Sequence, residues 1–251
     1  MTQKVALVTG SSRGLGQAIA LRLAKDGMMI AVHYGKNREA AEETVTKITS
    51  LGAEAFAVQA NVSEVASIKA MYEKLDGELT QRTGTAKFDV LVNNAGTAIA
   101  KPIEEWTEEE FDDQFNLNVK GLFFVTQMAL SRLNDNGRII NLGTGLTRFS
   151  YPIYAVYAAS KGAVDVLTQN LAVQLGTRGI TVNTLAPGAI DTDLNAGWLR
   201  SEEGQSQTLA VSAIKRIGMP DDIADVASFL ASNDSRWVTG QRIEASGGAH
   251  L

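Results

Sequence analysis

Tyr157 and Lys161 are the two residues whose types and spacing could perform acid–base chemistry. They stand four positions apart in Tyr-Ala-Ala-Ser-Lys, and residues four apart on a helix lie on the same face. An ammonium group beside a phenol stabilises the phenolate, so the spacing predicts a pKa of Tyr157 below its ordinary value of about 10. Such a tyrosine would exchange a proton with a carbonyl or an alcohol. The chain has 5 tyrosines, so a chance match is common and the surrounding elements must support this interpretation.

The composition argues against several other classes of function. The chain has 251 residues, of which 45% are hydrophobic and 20% charged, and its formal net charge is −5. This charge, with no basic stripe, argues against a nucleic-acid partner, and no apolar run approaches the ~18 residues of a membrane span. The chain has no cysteine, which excludes disulfides and thiolate ligands, and we predict no metal site. Because an apolar strand pattern begins at residue 5, we expect no signal peptide and a cytoplasmic protein.

Apolar strand patterns alternate with amphipathic helix patterns along the chain. This alternation is typical of an α/β fold, here a single Rossmann-like, doubly wound parallel sheet of about seven strands with helices on both faces. We expect one domain over residues 1–251, with a polar loop at 81–87 and a substrate-loop insertion at about 189–217. The predicted strands are 5–9, 28–33, 55–58, 88–92, 138–142, 180–185 and 241–244, and the predicted helices are 15–26, 38–51, 63–79, a bent helix at 107–133, 154–175 and 220–231.

A glycine-rich turn joins the first predicted strand to the first predicted helix. It reads Gly10-Ser11-Ser12-Arg13-Gly14-Leu15-Gly16. Glycines let the backbone approach a pyrophosphate closely, and the start of the following helix offers free N–H groups and a positive dipole. A glycine-rich turn with no ligand is the alternative. The position of the loop after the first strand of an alternating chain favours a dinucleotide site.

The end of the second predicted strand bears on the choice of nucleotide. NAD-binding folds of this class place an Asp or Glu there to bind the ribose 2′-hydroxyl, whereas this chain continues His33-Tyr34-Gly35-Lys36-Asn37-Arg38. Arg13, Lys36 and Arg38 would instead pair with a 2′-phosphate. Each cation alone is also explained as a solvated residue at a helix start, so the missing acid is the stronger observation. It favours NADP(H) over NAD(H).

These motifs together resemble those of the short-chain dehydrogenase/reductase family, and in particular its 3-oxoacyl-carrier-protein reductase-like branch. The resemblance extends over nearly the whole chain. Besides the glycine loop and the Tyr157–Lys161 pair, it includes Asn93-Asn94-Ala95-Gly96, Asn118 in Asn-Val-Lys-Gly, Pro187-Gly188, the segment 220–224, Gly240 and Gly247-Gly248.

The resemblance implies a role for each group. Tyr157 would be the general acid or base, Lys161 would lower its pKa and bind the nicotinamide ribose, and Asn118 would hold a water that relays protons to Lys161. Without these roles, Asn118 would mark a helix kink and the segment 93–96 a simple turn. The implied NADP(H)-binding residues are Gly10, Ser12, Arg13, Gly14, Leu15, Gly16, Tyr34, Lys36, Arg38, Asn61, Val62, Asn93 under the adenosine, Ala95, Gly96, Tyr157, Lys161, Pro187, Gly188, and Ile190 and Thr192 at the carboxamide.

Three positions depart from the family pattern. The catalytic serine that the family places after the fifth strand is here Thr144, which keeps the hydroxyl and adds a methyl group. An inert Thr144 would make the chain a degenerate member. Asn61 stands where many members have Asp, and its carbonyl can still accept from an adenine amino group. Arg178 matches a basic position used to dock an acidic carrier protein, but Asp135 stands at the other.

The remaining inferences concern the substrate and the assembly. Residues 146–156 and 189–213 are expected to line the pocket with Phe149, Tyr151, Ile153, Trp198 and Leu199, and with Arg148 as an anion anchor. We therefore expect a small-molecule carbonyl substrate, and a homotetramer or homodimer on the family's example. The leading function is an NADP(H)-dependent carbonyl reductase with Asn118, Thr144, Tyr157 and Lys161 as catalytic residues. The alternatives are a carrier-bound 3-oxoacyl reductase of fatty-acid or polyketide synthesis and a non-catalytic NADP-sensing protein.

Overall fold

Seven strands of the computed structural model, which describes residues 3–193 and 195–251, form one parallel sheet. Their order is β3-β2-β1-β4-β5-β6-β7, and each neighbouring pair is parallel. The predicted parallel sheet is confirmed. The strands are β1 Val5–Val8, β2 Met29–Tyr34, β3 Ala55–Gln59, β4 Phe88–Asn93, β5 Leu133–Leu142, β6 Thr181–Pro187 and β7 Arg242–Ala245.

Helices cover both faces of this sheet, as the doubly wound prediction requires. The helices are α1 Gly14–Lys25, α2 Arg38–Ser50, α3 Val65–Thr83, α4 Glu108–Phe115, α5 Leu122–Ala129, α6 Ala155–Leu175, α7 Ala196–Leu199, α8 Glu202–Val211 and α9 Pro220–Ala231. Buried side chains of α1, α2 and α9 form one apolar cluster with the sheet. Buried side chains of α3, α5 and α6 form the other.

The structure corrects three predicted boundaries. The polar loop predicted at 81–87 is wrong in its first part, because α3 continues to Thr83 and ends where Gly84 adopts a φ of +78°. Strand β5 begins at Leu133 rather than at residue 138, and its register with β4 shifts between Phe88 and Val90. The helix predicted at 107–133 ends at Ala129 and contains a π-helical segment, Asn116–Gly121, between α4 and α5. The predicted bend therefore has a local cause.

The predicted insertion at about 189–217 holds α7 and α8. A parallel bridge between Ile190 and Gly218 brings the two ends of this insertion together, and an antiparallel bridge between Ser212 and Ala249 pairs it with the C-terminal segment. Over the ranges 3–193 and 195–251, no helix is long and apolar enough to cross a membrane.

Candidate active site

The candidate site lies at the carboxyl ends of the central strands. The strand order reverses at β1, since β2 and β3 lie on one side of it and β4 to β7 on the other. In open parallel sheets, ligands bind in the crevice at such a reversal. All four residues of β1 are buried, so packing on both faces fixes where the strand ends and where the glycine loop begins.

The glycine loop is packed so tightly that side chains do not fit at its key positions. A Cβ on Gly16 would lie 2.3 Å from the carbonyl oxygen of Gly10. Gly10 and Gly14 have φ values of +64° and +58°, which side chains of L residues rarely adopt. Asn94, at the end of β4, donates from its amide to the carbonyls of Thr9 at 2.9 Å and Gly10 at 3.0 Å. The loop is therefore a rigid backbone cradle.

The N-terminus of α1 fits an anionic group. Arg13 precedes the helix in an extended conformation, and no side chain caps the first turn. The first N–H groups of a helix have no partner within the helix, and the helix dipole adds positive potential there. The carbonyl of Ser12 is held from the other side by Gln17 at 3.3 Å and Thr44 at 3.2 Å. These residues fit the pyrophosphate of a dinucleotide.

His33 supports the same loop, and the sequence reasoning did not assign it a role. The backbone N–H of Gly10 donates to Nδ1 of His33 at 2.9 Å, so the proton lies on Nε2, which donates to the carbonyl of Ala60 at 3.2 Å. Burial lowers the pKa of His33 to about 4, which keeps the ring neutral at physiological pH. The sequence feature that could have identified this role is a histidine within an otherwise apolar strand.

The end of β2 has no acidic residue, as predicted. Tyr34 is buried, and the side chain of Asn37 accepts from the N–H of Ala40 at 3.0 Å as the N-cap of α2. Lys36 and Arg13 are exposed. Arg38 is exposed too, and its Nε lies 3.5 Å from Glu42. This single weak surface pair leaves most of its guanidinium edge open.

Two residues predicted to bind the cofactor use their side chains within the protein. The amide of Asn61 donates to Glu64 at 2.7 Å and its oxygen accepts from the N–H of Ser63 at 3.2 Å, which shapes the turn before α3. Asn93 is buried, and its amide donates to Thr126 at 2.9 Å and Asn141 at 2.8 Å. Asn93 thus braces β4 against α5 and β5. Val62 is also buried.

Gly96, Asn118 and Lys161 converge from three different elements. A Cβ on the exposed Gly96 would lie 3.0 Å from Oδ1 of Asn118 and 3.6 Å from Nζ of Lys161. Lys161 is only 4% exposed, and its ammonium group donates to the carbonyl of Leu142 at 2.7 Å. The end of β5 thereby fixes the lysine on α6. Ala95 and Gly96 have a small side chain or none, so a ligand has room beside the Lys161 ammonium group.

Asn118 occupies the π-helical segment, a type of irregularity at which helices kink. Its Oδ1 accepts from the N–H of Thr97 at 2.9 Å. Its amide donates to the carbonyl of Thr97 at 2.9 Å and to the Ser160 hydroxyl at 3.0 Å. Ser160 in turn donates to the carbonyl of Tyr157 at 2.7 Å. The Asn118 side chain therefore connects the segment after β4 to the helix that bears Tyr157, and the predicted water relay stays a prediction.

Thr144 follows β5 and faces Tyr157. It is 7% exposed, and its hydroxyl accepts from the N–H of Leu146 at 3.3 Å. The pKa of Tyr157 rises to about 12, chiefly because burial disfavours the phenolate, while the nearby Thr144 hydroxyl opposes the rise. The prediction that Lys161 lowers this pKa is wrong: its Nζ lies 6.0 Å from the Tyr157 ring centre and is directed to the Leu142 carbonyl.

Burial also changes the pKa of Lys161. Desolvation of the ammonium group lowers it to about 8, and the negative charge of Asp165, one helical turn further along α6, opposes the change. The two shifts run in opposite directions for the same reason, since burial favours the neutral form of each group. At neutral pH the site therefore holds a protonated phenol beside a lysine that is still mostly charged.

The segment after β6 closes the other side of the crevice. Pro187 ends β6, and a Cβ on Gly188 would lie 2.7 Å from the Cα of Ser246. Ile190 is buried and bridges to Gly218. Thr192 is partly buried, and its carbonyl accepts from the N–H of Asn195 at 3.0 Å. The predicted residues 187, 188, 190 and 192 thus lie at the end of β6 and in the segment that directly follows it.

Arg148 is not the anion anchor that the sequence suggested. It donates to both oxygens of Glu244, at 2.9 and 2.8 Å, and to the carbonyls of His250 and Ala249. Its charge is therefore already paired. Among the predicted pocket residues, Leu199 is buried, whereas Tyr151, Ile153 and Trp198 are 39%, 42% and 45% exposed. In the described ranges 3–193 and 195–251, no group of His, Asp or Glu side chains could hold a metal ion.

Comparisons with known proteins find similar proteins over nearly the whole chain. A family model described as Enoyl-(Acyl carrier protein) reductase matches residues 10–250. An uncharacterized oxidoreductase of Methylorubrum extorquens is 42% identical over 246 residues, which cover 98% of this chain and 97% of the relative. The hydroxynaphthalene reductase-like protein Arp2 of Metarhizium brunneum is 39% identical over 259 residues, covering 98% and 94%.

Solved structures give the same result. The angucycline C-6 ketoreductase LanV with bound NADP has a TM-score of 0.95 at 42% identity, covering 100% of this chain and 96% of that chain. A second structure of LanV, with bound NADP and rabelomycin, has a TM-score of 0.91 at 42% identity, covering 100% and 97%.

Proposed function

The chain belongs to the short-chain dehydrogenase/reductase family of oxidoreductases, and on that premise we propose that it reduces a ketone to an alcohol with NADP(H), using Tyr157 as the general acid. The main observation is the convergence of Gly96, Asn118 and Lys161 beside the Tyr157–Thr144 pair. All five residues lie on or next to the carboxyl ends of β4 and β5, close to the glycine loop. This is the arrangement that positioning catalysis requires.

The nucleotide is proposed to be NADP(H). The glycine loop and the uncapped N-terminus of α1 fit the pyrophosphate. Exposed Arg13, Lys36 and Arg38 would bind a 2′-phosphate, and no carboxylate stands at the end of β2 to repel it. The NADP in LanV is consistent with this choice. When bound, NADPH supplies the hydride that the carbonyl carbon receives.

The chain's own residues would supply the proton and the polarisation. With a pKa of about 12, the Tyr157 phenol is protonated at neutral pH and can donate to the carbonyl oxygen. The Thr144 hydroxyl would hydrogen-bond the same oxygen and stabilise its developing negative charge. The ammonium group of Lys161, held by the Leu142 carbonyl, would bind the nicotinamide ribose. Asn118 would hold the Tyr157 helix in place through Ser160.

The substrate is proposed to be a free aromatic ketone rather than an acyl chain on a carrier protein. Arg178, the residue that matched a carrier-docking position, pairs with Asp135 at 2.8 Å and donates to the carbonyls of Leu130 and Leu133. It is therefore engaged within the fold. The partly exposed Tyr151 and Trp198 offer apolar surface in the segments that are expected to line the pocket, and the rabelomycin bound by LanV is consistent with a small-molecule ketone.

The proposal is tested by the oxidation of NADPH with a panel of polycyclic aromatic ketones and β-ketoesters. We expect turnover with NADPH and much slower turnover with NADH. Tyr157→Phe should abolish turnover while leaving the Kd for NADPH within about twofold, because the phenol acts on the substrate oxygen. NADPH binding without turnover of any ketone would support the NADP-sensing alternative. Turnover by Tyr157→Phe would contradict the acid role.

Three further expectations remain proposals. We propose that residues 1–251 act as one domain, that the segment 189–217 lines the substrate pocket, and that the protein assembles as a homotetramer or homodimer in the cytoplasm. Sedimentation of the purified protein tests the assembly.

A further inference from the structure

Arg242, on the edge strand β7, contacts the loop that begins at Thr144. Its Nη2 donates to the carbonyl of Thr144 at 2.7 Å, across 98 residues of sequence. Its Nε donates to the hydroxyl of Thr147 at 2.8 Å. The Thr147 hydroxyl itself donates to the same Thr144 carbonyl at 3.3 Å. One guanidinium group therefore holds the loop at both ends of the short turn that begins at Thr144.

This contact bears on the direction of the Thr144 hydroxyl. Threonine has a stiff χ1, so the position of its Oγ1 follows the position of its backbone. The Thr144 backbone is extended, with φ −157° and ψ 155°, and the turn Gly145–Thr147 starts directly after it. A displacement of the Thr144 backbone would carry the hydroxyl away from Tyr157. Arg242 opposes that displacement by holding the Thr144 carbonyl.

The guanidinium is fixed by two carboxylates. Its Nη1 donates to Glu244 at 3.0 Å, and its Nε lies 3.5 Å from Oδ2 of Asp165. Both carboxylate side chains are 16% exposed. Glu244 is in turn held by Arg148 and by the Ser246 hydroxyl at 2.7 Å. A planar fork held at several points loses little freedom when it makes one more bond, so Arg242 is preorganised.

Asp165 joins this support to the lysine. It lies one helical turn beyond Lys161 on α6, and its Oδ1 is buried without a hydrogen-bond partner in the described structure. An unpartnered buried carboxylate oxygen is costly, and the nearby guanidinium lowers that cost. The same arginine thus contacts the Thr144 loop and faces a carboxylate on the helix that bears Tyr157 and Lys161.

We propose that Arg242 is a positioning residue of the active site, which sets the direction of the Thr144 hydroxyl by holding the Thr144 carbonyl. The proposal rests on the proposed function, because it presumes that Thr144 acts on the substrate oxygen. Lysine does not replace Arg242, since a single ammonium group cannot span Thr144, Thr147 and the carboxylates together.

A double-mutant cycle tests this inference. Arg242→Gln should lower kcat about tenfold or more while the KM for NADPH changes less than about twofold, since Thr144 acts on the substrate oxygen. In a Thr144→Val background, which lacks the hydroxyl, Arg242→Gln should lower kcat by less than about twofold, because two residues that act as one unit are not additive. Arg242→Lys should resemble Arg242→Gln. The control Arg236→Gln removes an exposed arginine whose side chain donates to the Asn233 carbonyl, and it should leave kcat unchanged.

A methyl NMR measurement tests the inference without turnover. In threonine-labelled protein, the Thr144 methyl signal, assigned by its loss in Thr144→Val, should shift in Arg242→Gln and Arg242→Lys, while that of Thr46 on the outer surface of α2 should not. Equal losses of kcat in both backgrounds, or an unmoved Thr144 signal, would overturn the proposal. If the wild-type protein reduces no ketone but the Thr144 signal shifts, the proposed function fails and the positioning contact stands.

Discussion

At the scale of single residues, burial moves the two central groups in opposite directions. It raises the pKa of Tyr157 to about 12 and lowers that of Lys161 to about 8. The sequence spacing correctly placed both residues on one helix, but it suggested that the charge of Lys161 dominates the phenol. Spacing does not reveal desolvation, which depends on how completely the fold surrounds each group. The residue near its titration point at physiological pH is therefore the lysine.

The pH dependence of kcat/KM for NADPH reports the titration of groups in the free enzyme. We expect it to show the titration of Lys161. Lys161 is protonated below its pKa of about 8 and loses its charge above it, so kcat/KM should fall as the pH rises through about 8. Tyr157, with a pKa of about 12, is protonated throughout this range. Because Asp165 raises the pKa of Lys161, Asp165→Asn should move the fall to lower pH.

Asp234→Asn provides the control for this profile. Asp234 is an exposed carboxylate in the turn after α9, and its loss should leave the midpoint of the fall unchanged. Identical profiles for the wild type and Asp165→Asn would mean that another group controls the fall.

The cations near the end of β2 should determine nucleotide preference. A double variant with Lys36→Gln and Arg38→Gln should raise the KM for NADPH about tenfold, since charge-assisted bonds to a phosphate are lost. The KM for NADH should stay the same, because NADH has no 2′-phosphate. Lys69→Gln, at an exposed position of α3, is the matched control. Equal changes for both nucleotides would show that these cations do not read the 2′-phosphate.

At the scale of elements, local patterns predicted helices and strands well but missed what tertiary contacts decide. The predicted helix 220–231 coincides with α9, which has Pro220 at its first turn and an apolar face. The residues 81–83 looked like a loop because they are polar, yet they extend α3, where Arg82 pairs with Glu78 at 3.1 Å. The extension of β5 back to Leu133 depends on its pairing with Phe88, which no local pattern contains.

Two glycines of contrasting surroundings test how the glycine loop depends on backbone contact. Gly16→Ala should lower the free energy of unfolding by about 1–3 kcal/mol, because its Cβ would press on the Gly10 carbonyl, and should weaken NADPH binding. Nothing lies within 4 Å of a Cβ added at Gly77, within α3. Gly77→Ala should therefore raise the free energy of unfolding by about 0.5–1 kcal/mol. Urea unfolding measures both. A Gly16→Ala protein with unchanged stability and NADPH affinity would contradict the packed cradle.

At the scale of the whole molecule, the site is completed by residues far apart in the sequence. The resemblance to a family suggested a catalytic set, but not the contact between Arg242 and Thr144 or that between His33 and Gly10. Arg148 was assigned to the substrate because its partner Glu244 lies 96 residues away. Side-chain pairs between residues far apart in the sequence leave no periodic pattern. They are identified only in the folded structure, where the sheet order places β7 beside β6.

The cluster around Glu244 should make the whole fold sensitive to acid. Hydrogen bonds, chiefly from Arg148, lower the pKa of Glu244 from its ordinary 4.5 to about 2. A carboxylate whose folded pKa is depressed stabilises the fold above its unfolded pKa, and this stabilisation is lost as the pH falls from about 4.5 through about 2.

Glu244→Gln should therefore lower the free energy of unfolding by about 2 kcal/mol at pH 7, the value of a hydrogen-bonded charge, and by much less near pH 2.5. Urea unfolding of both proteins at the two pH values measures this difference, with Glu43→Gln on the exposed side of α2 as the control. The same loss of stability at both pH values would show that Glu244 contributes by packing rather than by its charge.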